Sequence, residues 1–481
     1  MQEAPEVDVG EIEAEAEGVP AERTSLLAFF RDRDHTRGNL LVSVLVLALP
    51  STLSMVFSFG IFQMVELKFL GSLGAHALAA ATASDLVLRQ GLMLFVMGMT
   101  VASQMMIARN VGAGRVGAAE HVAGQTFLLG GMLAVVAAAI GLLIPGVLAR
   151  IVSPEPEVVA LATDYVRVVF VMFFAMAASQ IFATVLNGAG DTTTPLMTSF
   201  VVTPIAIFAQ WSLAFGNSGM PDLGVVGLPL GAALGGVVGS AISLFMLFSG
   251  RCRVHLRASH LAPDAAALRQ IVAMSWQPAL HMAARSTMLM VFTIMAGRFG
   301  EKVQAAYGVG VRIEMLAIMF AFPIANACAT LVGQNLGARN LPRAWQAVYT
   351  SSLVSLTALI PLALCVFLFR HQIVGFFAPD PEVAALAAEY LVFSSIILSF
   401  YGLYFVAFRT LQASGDMNSP MLVSIGTAFL IGAPLGYLLS HQAGLGPRGM
   451  WTANLIYALV NCGLMTAWLF TGRWTHRHRS V

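Results

Sequence analysis

Six ionisable side chains sit inside stretches that are otherwise almost free of charge: Glu66, Asp85, Arg89, Arg285, Arg312 and Glu314. A charge at the centre of a bilayer costs roughly 2.5–3.5 kcal/mol on insertion scales, so such residues are kept for pairing, binding or ion movement. Their spacing allows specific pairs. Asp85 and Arg89 are four apart, on one face of a helix. Glu66 ends the first apolar stretch, close to the start of the second, and competes for Arg89. Arg285 lies 12 residues before Gly297, and Glu314 lies 11 residues after Val303. At about 1.5 Å per residue both are roughly 17–18 Å from the same membrane face, which predicts an Arg285–Glu314 ion pair near the midplane. Arg312, two residues from Glu314, faces another way. The chemistry open to this set is a static bolt between helices, or coupling of a proton or cation to a conformational cycle. Coupling needs a carboxylate that changes occupancy, and Glu66, Asp85 and Glu314 are the candidates.

The elements that must position these charges are transmembrane helices. Charged residues make up 11% of the 481 and hydrophobic residues 58%, against about 25% charged in soluble domains. A span needs roughly 20 apolar residues. Seven stretches without Asp, Glu, Lys or Arg qualify: 38–65, 122–149, 192–221, 223–250, 344–369, 417–447 and 449–472. Five more carry few charges: 77–108, 158–186, 271–297, 303–336 and 383–411. With both ends cytoplasmic, sixteen Lys and Arg residues fall on inner segments and six on outer ones, as the positive-inside rule demands. The expected setting is a plasma (inner) membrane. Residues 1–37 form an acidic N-terminal tail and entry segment, expected to be disordered, with no apolar run of a signal peptide. Residues 473–481 form a basic tail. Cys252, Cys328, Cys365 and Cys462 have no metal-ligand spacing and are expected to be small packing residues.

The sequence repeats itself. Asn110-Val-Gly112-Ala113 returns as Asn335-Leu-Gly337-Ala338, and Gly190-Asp191…Pro195 as Gly415-Asp416…Pro420. The segment from Ser153 to Asp164 and Tyr165 returns from Ala378 to Glu389 and Tyr390. All three lie 225 positions apart. The fold expected is therefore an all-α integral membrane protein of about 12 transmembrane helices, in two six-helix lobes related by a pseudo-two-fold axis along the membrane normal. The lobes are residues 38–250 and 270–472, joined by the basic linker 251–269. Asp191 and Asp416 stand where they can cap the helices that Pro195 and Pro420 open. The equivalence of Asp164 and Glu389 suggests a shared packing or capping role.

These motifs resemble the multidrug and toxic compound extrusion (MATE) family of the MOP flippase superfamily. Pro50, Gly71-Ser-Leu-Gly74-Ala75 and Leu78-Ala-Ala80 resemble its first hairpin, and the repeated loops resemble those after its second, fourth, eighth and tenth helices. The resemblance implies antiport: export of organic, cationic amphipathic solutes in exchange for H+ or Na+, by alternating access. It departs from the family at four positions. Ala206 and Gln210 align with an Asn and an Asp of one branch, and Arg285 and Tyr401 with a Glu and an Asp of another. Gln210, Tyr401 and His281 are candidate cavity residues.

The alternative within transport is a flippase for lipid-linked precursors. The major facilitator pattern is absent after the second helix. A membrane-embedded enzyme would need a partner for His281, and no His or Cys stands at ligand spacing. No Walker motif supplies ATP. The expected partners are membrane lipids, a small organic solute and a coupling cation, with no nucleic acid, no metal and no cofactor, for a monomeric protein that is not an enzyme.

Overall fold

The computed structural model describes residues 34–74, 81, 84, 85, 89–152, 156–250, 252–377 and 380–475. The tail before Asp34, the hairpin residues 75 and 78–80, Arg251, the repeat ends 153–155 and 378–379, and residues 476–481 lie outside that set.

In hydrocarbon no water satisfies backbone N–H and C=O groups, so the apolar stretches close their own hydrogen bonds as helices. In chain order they are α1 (Leu40–Ser72), α2 (Gln90–Gly112), α3 (Val116–Leu143), the short α4 (Pro145–Val152), α5 (Pro156–Val171) and α6 (Phe173–Ala189). Then come α7 (Thr193–Phe215), α8 (Gly227–Phe248), α9 (Ala265–Gly297), α10 (Glu301–Gly337) and α11 (Leu341–Leu368). The short α12 (Arg370–Phe377), α13 (Pro381–Ala413), α14 (Asn418–Gln442) and α15 (Gly446–Phe470) complete the bundle. Eleven are long and apolar enough to cross a membrane, and α5 with α6, bent by 46° at Met172, makes twelve. Helix ends obey the sequence repeat: α1 and α9, α3 and α11, and the short α4 and α12 begin and end 225 positions apart.

Local chemistry sets these ends. Asn39 accepts from the N–H groups of Leu41 and Val42, and its repeat equivalent Asp264 from those of Ala266 and Ala267. His121 Nε2 lies 3.0 Å from Asp264, and this contact, with the cap bonds, holds the Asp264 carboxyl below the usual carboxylate range. Asp191 and Asp416 are buried and cap as the sequence predicts. Asp191 takes the N–H groups of Thr193 and Thr194, and Asp416 that of Ser419. Gly190 and Gly415, at φ +89° and +85°, make the left-handed turns that precede them. Pro50 lies within α1, and a π-turn follows at Val56–Ile61. The helix then continues to Ser72 rather than stopping at Val65, so Glu66 is well inside it and not at its end. Cys328 and Cys462 are buried, but Cys365 is exposed on α11.

Two kinds of close approach hold the bundle. Along α8, Gly227, Gly231 and Gly235 recur every fourth residue and meet α7 at Ala214, Gln210 and Ala206, the small-residue seam by which membrane helices pack. Between the halves, a Cβ on Gly112 would stand 1.9 Å from the Gln334 carbonyl oxygen, and one on Gly337 2.1 Å from that of Arg109. This reciprocal contact joins the ends of α2 and α10 at the face that carries Asp34 and Thr475, called here the basic face. The halves also cross over there. Val44, Leu47 and Ala48 of α1 pack with α10, α11 and α13, whereas Ile271 of α9 packs with the core of the first half.

Gly112→Ala is expected to lower thermal stability in detergent by about 1–3 kcal/mol, the cost of overpacking a tight contact. Gly117→Ala, where the added carbon meets open space, is the control. Equal melting temperatures for the two variants would show that the halves do not meet as described.

Candidate functional site

Each half holds one carboxylate cluster in its interior. In the first, Glu66 of α1 is 6% exposed and accepts from Gln210 Nε2 of α7 at 3.3 Å. The α7–α8 glycine seam fixes Gln210, whose Nε2 also reaches the Leu228 carbonyl at 3.2 Å. Beside this pair, Arg89 Nη2 and Asp85 Oδ2 lie 2.8 Å apart, and the Tyr165 hydroxyl of α5 donates to Asp85 Oδ1 at 3.0 Å. The Asp85–Arg89 pair is the one read from spacing, and it leaves Glu66 with the neutral amide of Gln210.

The second half repeats this arrangement with different charges. Glu314 of α10 is 7% exposed and accepts from the hydroxyls of Tyr390 at 2.6 Å and Tyr401 at 3.4 Å, both on α13. Tyr165 and Tyr390 are repeat equivalents, and each donates to a carboxylate from the helix that follows the first or seventh span. Gly310, the equivalent of Asp85, leaves space for the Tyr390 ring, which a Cβ there would meet at 2.0 Å. The carboxylate is then supplied one helical turn later, by Glu314.

The expected Arg285–Glu314 ion pair does not form. Arg285 lies over the rings of Tyr401 and Phe405, at 5.5 and 5.1 Å from their centroids, in cation–π contact. Tyr401 is interposed: its face takes the guanidinium and its hydroxyl the carboxylate. The depth argument placed both groups on one level, but rotation about each helix axis separated them. Arg312 is exposed and turns away, as expected. His281 is not a cavity residue. It is 1% exposed, with Nδ1 at 3.1 Å from the Pro420 carbonyl and 3.0 Å from Ser424, and Nε2 at 3.3 Å from the Tyr404 hydroxyl. It pins the Gly415–Pro420 turn to α9. Asp164 and Glu389 do not share a role either: Asp164 pairs with Arg167 at 3.0 Å in its own helix, and Glu389 with Arg448 of α15 at 2.6 Å.

Between the halves, polar contacts gather at the basic face. Gln104 donates to Thr330 at 3.2 Å and accepts from Arg409, Thr330 donates to the Asn187 carbonyl at 2.8 Å, and Arg109 donates to that of Ser414. Arg409 is 3% exposed, in this interface. Spacing gave no sign of it, whereas Tyr165 and Tyr390 were legible as the last matched residues of one repeat. An open apolar groove of about 390 Å3 lies between α1 and α7, lined by Phe57, Ile61, Phe69, Pro204, Phe208 and Trp211, of which Ile61, Phe208 and Trp211 are exposed. Among the described residues no group of three His, Cys, Asp or Glu could hold a metal ion.

Twelve spans in repeat-related halves, each with a carboxylate cluster inside, are the build of a two-lobed membrane transporter. The family model MatE matches residues 50–211 and 278–438, and the chain belongs to the MatE family. It is similar to "Probable multidrug resistance protein NorM" of Thermotoga maritima, 24% identical over 90% of this chain and 92% of that protein. It is also similar to "Multidrug resistance protein PmpM" of Pseudomonas aeruginosa, 25% identical over 83% of this chain and 85% of that one. Among solved structures, an outward-facing MATE family transporter of the MOP superfamily matches at TM-score 0.85 and 21% identity, over 93% of this chain and 98% of that one.

Tyr390→Phe removes the shorter of two hydrogen bonds to Glu314 and is expected to cost about 1–3 kcal/mol of stability. Tyr401→Phe, at the longer contact, is expected to cost less. Thermal unfolding in detergent ranks them, and the reverse order would mean that Tyr401 is the main partner of Glu314.

Proposed function

We propose that the chain is a multidrug efflux antiporter. It exports organic, cationic amphipathic solutes from the cytoplasm in exchange for H+ or Na+, by alternating access across the plasma membrane. The basic face is cytoplasmic, both termini lie there, and the protein works as a monomer without a cofactor or catalytic step. One observation carries this reading: each half buries a carboxylate, Glu66 or Glu314, whose hydrogen-bond partners are neutral. A carboxylate out of water whose neighbouring arginine is engaged elsewhere, Arg89 by Asp85 and Arg285 by the Tyr401 and Phe405 rings, is a place where a proton or small cation binds. The names of the relatives, multidrug resistance proteins, support export of varied organic solutes. The groups that align with an Asn and an Asp of one family branch give a physical reason for a changed site. Ala206 is packed on Gly235 with no space for a longer side chain, and Gln210 offers an amide.

The test is dye flux in proteoliposomes under a proton gradient alone and a sodium gradient alone. One gradient is expected to drive transport. Glu66→Gln is expected to reduce that flux about tenfold or more while dye binding stays within about twofold. Glu314→Gln tells whether the second half also carries the ion. Dye movement that ignores both gradients, or wild-type coupling in the double variant E66Q/E314Q, would overturn antiport through these carboxylates.

A further inference from the structure

A cavity of about 1170 Å3 opens on the basic face, where the two halves meet. The repeat-related turns Gly112–Arg115 and Leu336–Arg339 form two of its sides, and Thr36 with Arg37 forms a third. Four arginines line it: Arg37, Arg109, Arg115 and Arg339. Arg37, Arg115 and Arg339 are exposed, and no carboxylate is among the lining residues described. Asp34 stands near Arg37, but its carboxylate is turned onto Thr36, at 2.9 Å from the amide and 2.7 Å from the hydroxyl.

These arginines are not needed to cap the helices that end there. The closing carbonyls of α2 take the N–H groups of Ala113, Gly114 and Arg115, and those of α10 take the N–H groups of Ala338, Arg339 and Asn340. The guanidinium groups of Arg37, Arg115 and Arg339 are left facing an open volume, whereas that of Arg109 bonds to the Ser414 carbonyl. An anionic ligand that engaged them would touch both halves at once, because Arg109 and Arg115 belong to one and Arg339 to the other.

The chain itself carries such a ligand to this spot. His35 is buried, with Nε2 at 3.3 Å from the Gly190 carbonyl, and Arg343 donates to the Arg37 and Gly38 carbonyls at 2.7 and 2.8 Å. These contacts hold residues 35–38 at the rim, so Asp34, the first residue described, stands at the cavity edge. Residues 1–22 hold eight acidic side chains and no Lys, Arg or His. The stretch from Glu22 to Asp34 spans at most about 40 Å when extended, enough to turn back into the cavity. Tethering gives the segment a high local concentration there.

We propose that the acidic segment 2–22 docks in the arginine cavity and staples the two halves together at the basic face. Opening of this face separates Arg115 from Arg339. A segment bound to both therefore favours the closed state and slows the transport cycle. Docking stands apart from the transport reading above; only the effect on rate rests on it.

The chain has two lysines, Lys68 and Lys302, near the helix ends opposite the basic face. This makes zero-length carbodiimide coupling a selective probe. In full-length protein in neutral-lipid vesicles, R115K and R339K each place an amine in the cavity. Each is expected to couple to a glutamate of segment 2–22, found as a linked peptide by mass spectrometry. Raising salt to about 1 M, where the screening length is about 3 Å, is expected to abolish the link. A new amine that couples to a soluble carboxylate but never to the segment overturns the proposal. So does protection of that amine by phosphatidylglycerol vesicles with the segment unlinked, which assigns the cavity to lipid headgroups instead. For the rate, deletion of residues 2–22 is expected to raise dye flux about twofold or more, and R115Q/R339Q to match it with no further gain when combined. Links without any change in flux would leave docking standing and overturn the staple.

Discussion

Hydrocarbon offers no hydrogen bonds, and a carboxylate placed in it must find its partners within the protein. That demand organises both halves. Asp85 takes Arg89 and the Tyr165 hydroxyl, Glu66 takes an amide, and Glu314 takes two tyrosines. The helices that carry these groups cannot slide or rotate without breaking contacts that water is not there to replace. The tyrosines are the common element. Tyr165 and Tyr390 occupy equivalent places, and each ties the fourth span of its half to the second. Around that fixed donor the acids have moved by a turn and the basic residues have been redistributed.

The halves are joined by a different rule. At the basic face the backbones of α2 and α10 come within reach of each other because Gly112 and Gly337 lack a Cβ. Each contact is the mirror of the other under the repeat. Glycine contacts of this kind give close packing through backbone alone. The polar contacts around them have mixed character: Gln104, Thr330 and Asn187 are neutral, and Arg109 and Arg409 bond to a carbonyl and to amides. Such bonds can exchange for water when the face opens. α1 and α9 cross between the halves at the same level, so each half holds a piece of the other's core. The π-turn at Val56–Ile61 and the prolines Pro50 and Pro278 interrupt the regular hydrogen bonding of these two helices.

The amino-acid sequence settled whatever depends on neighbours along the chain. Apolar length set the number of spans. Glycine, aspartate and proline set the turns at Gly190–Pro195 and Gly415–Pro420, and four-residue spacing set the Asp85–Arg89 pair. Repetition at one interval gave the two halves, and even carried Tyr165 and Tyr390 in matched positions. Spacing along a helix was legible too, because rise per residue is a property of the backbone. Azimuth was not. Whether Arg285 and Glu314 touch depends on how α9 and α10 are turned about their axes, and Tyr401 of a third helix stands between them. The burial of Arg409, the seat of His281 behind Pro420 and the meeting of Glu66 with Gln210 have the same origin. Helix rotation and choice of neighbour are fixed by side chains packing across hundreds of residues of chain, and only the folded bundle holds that information.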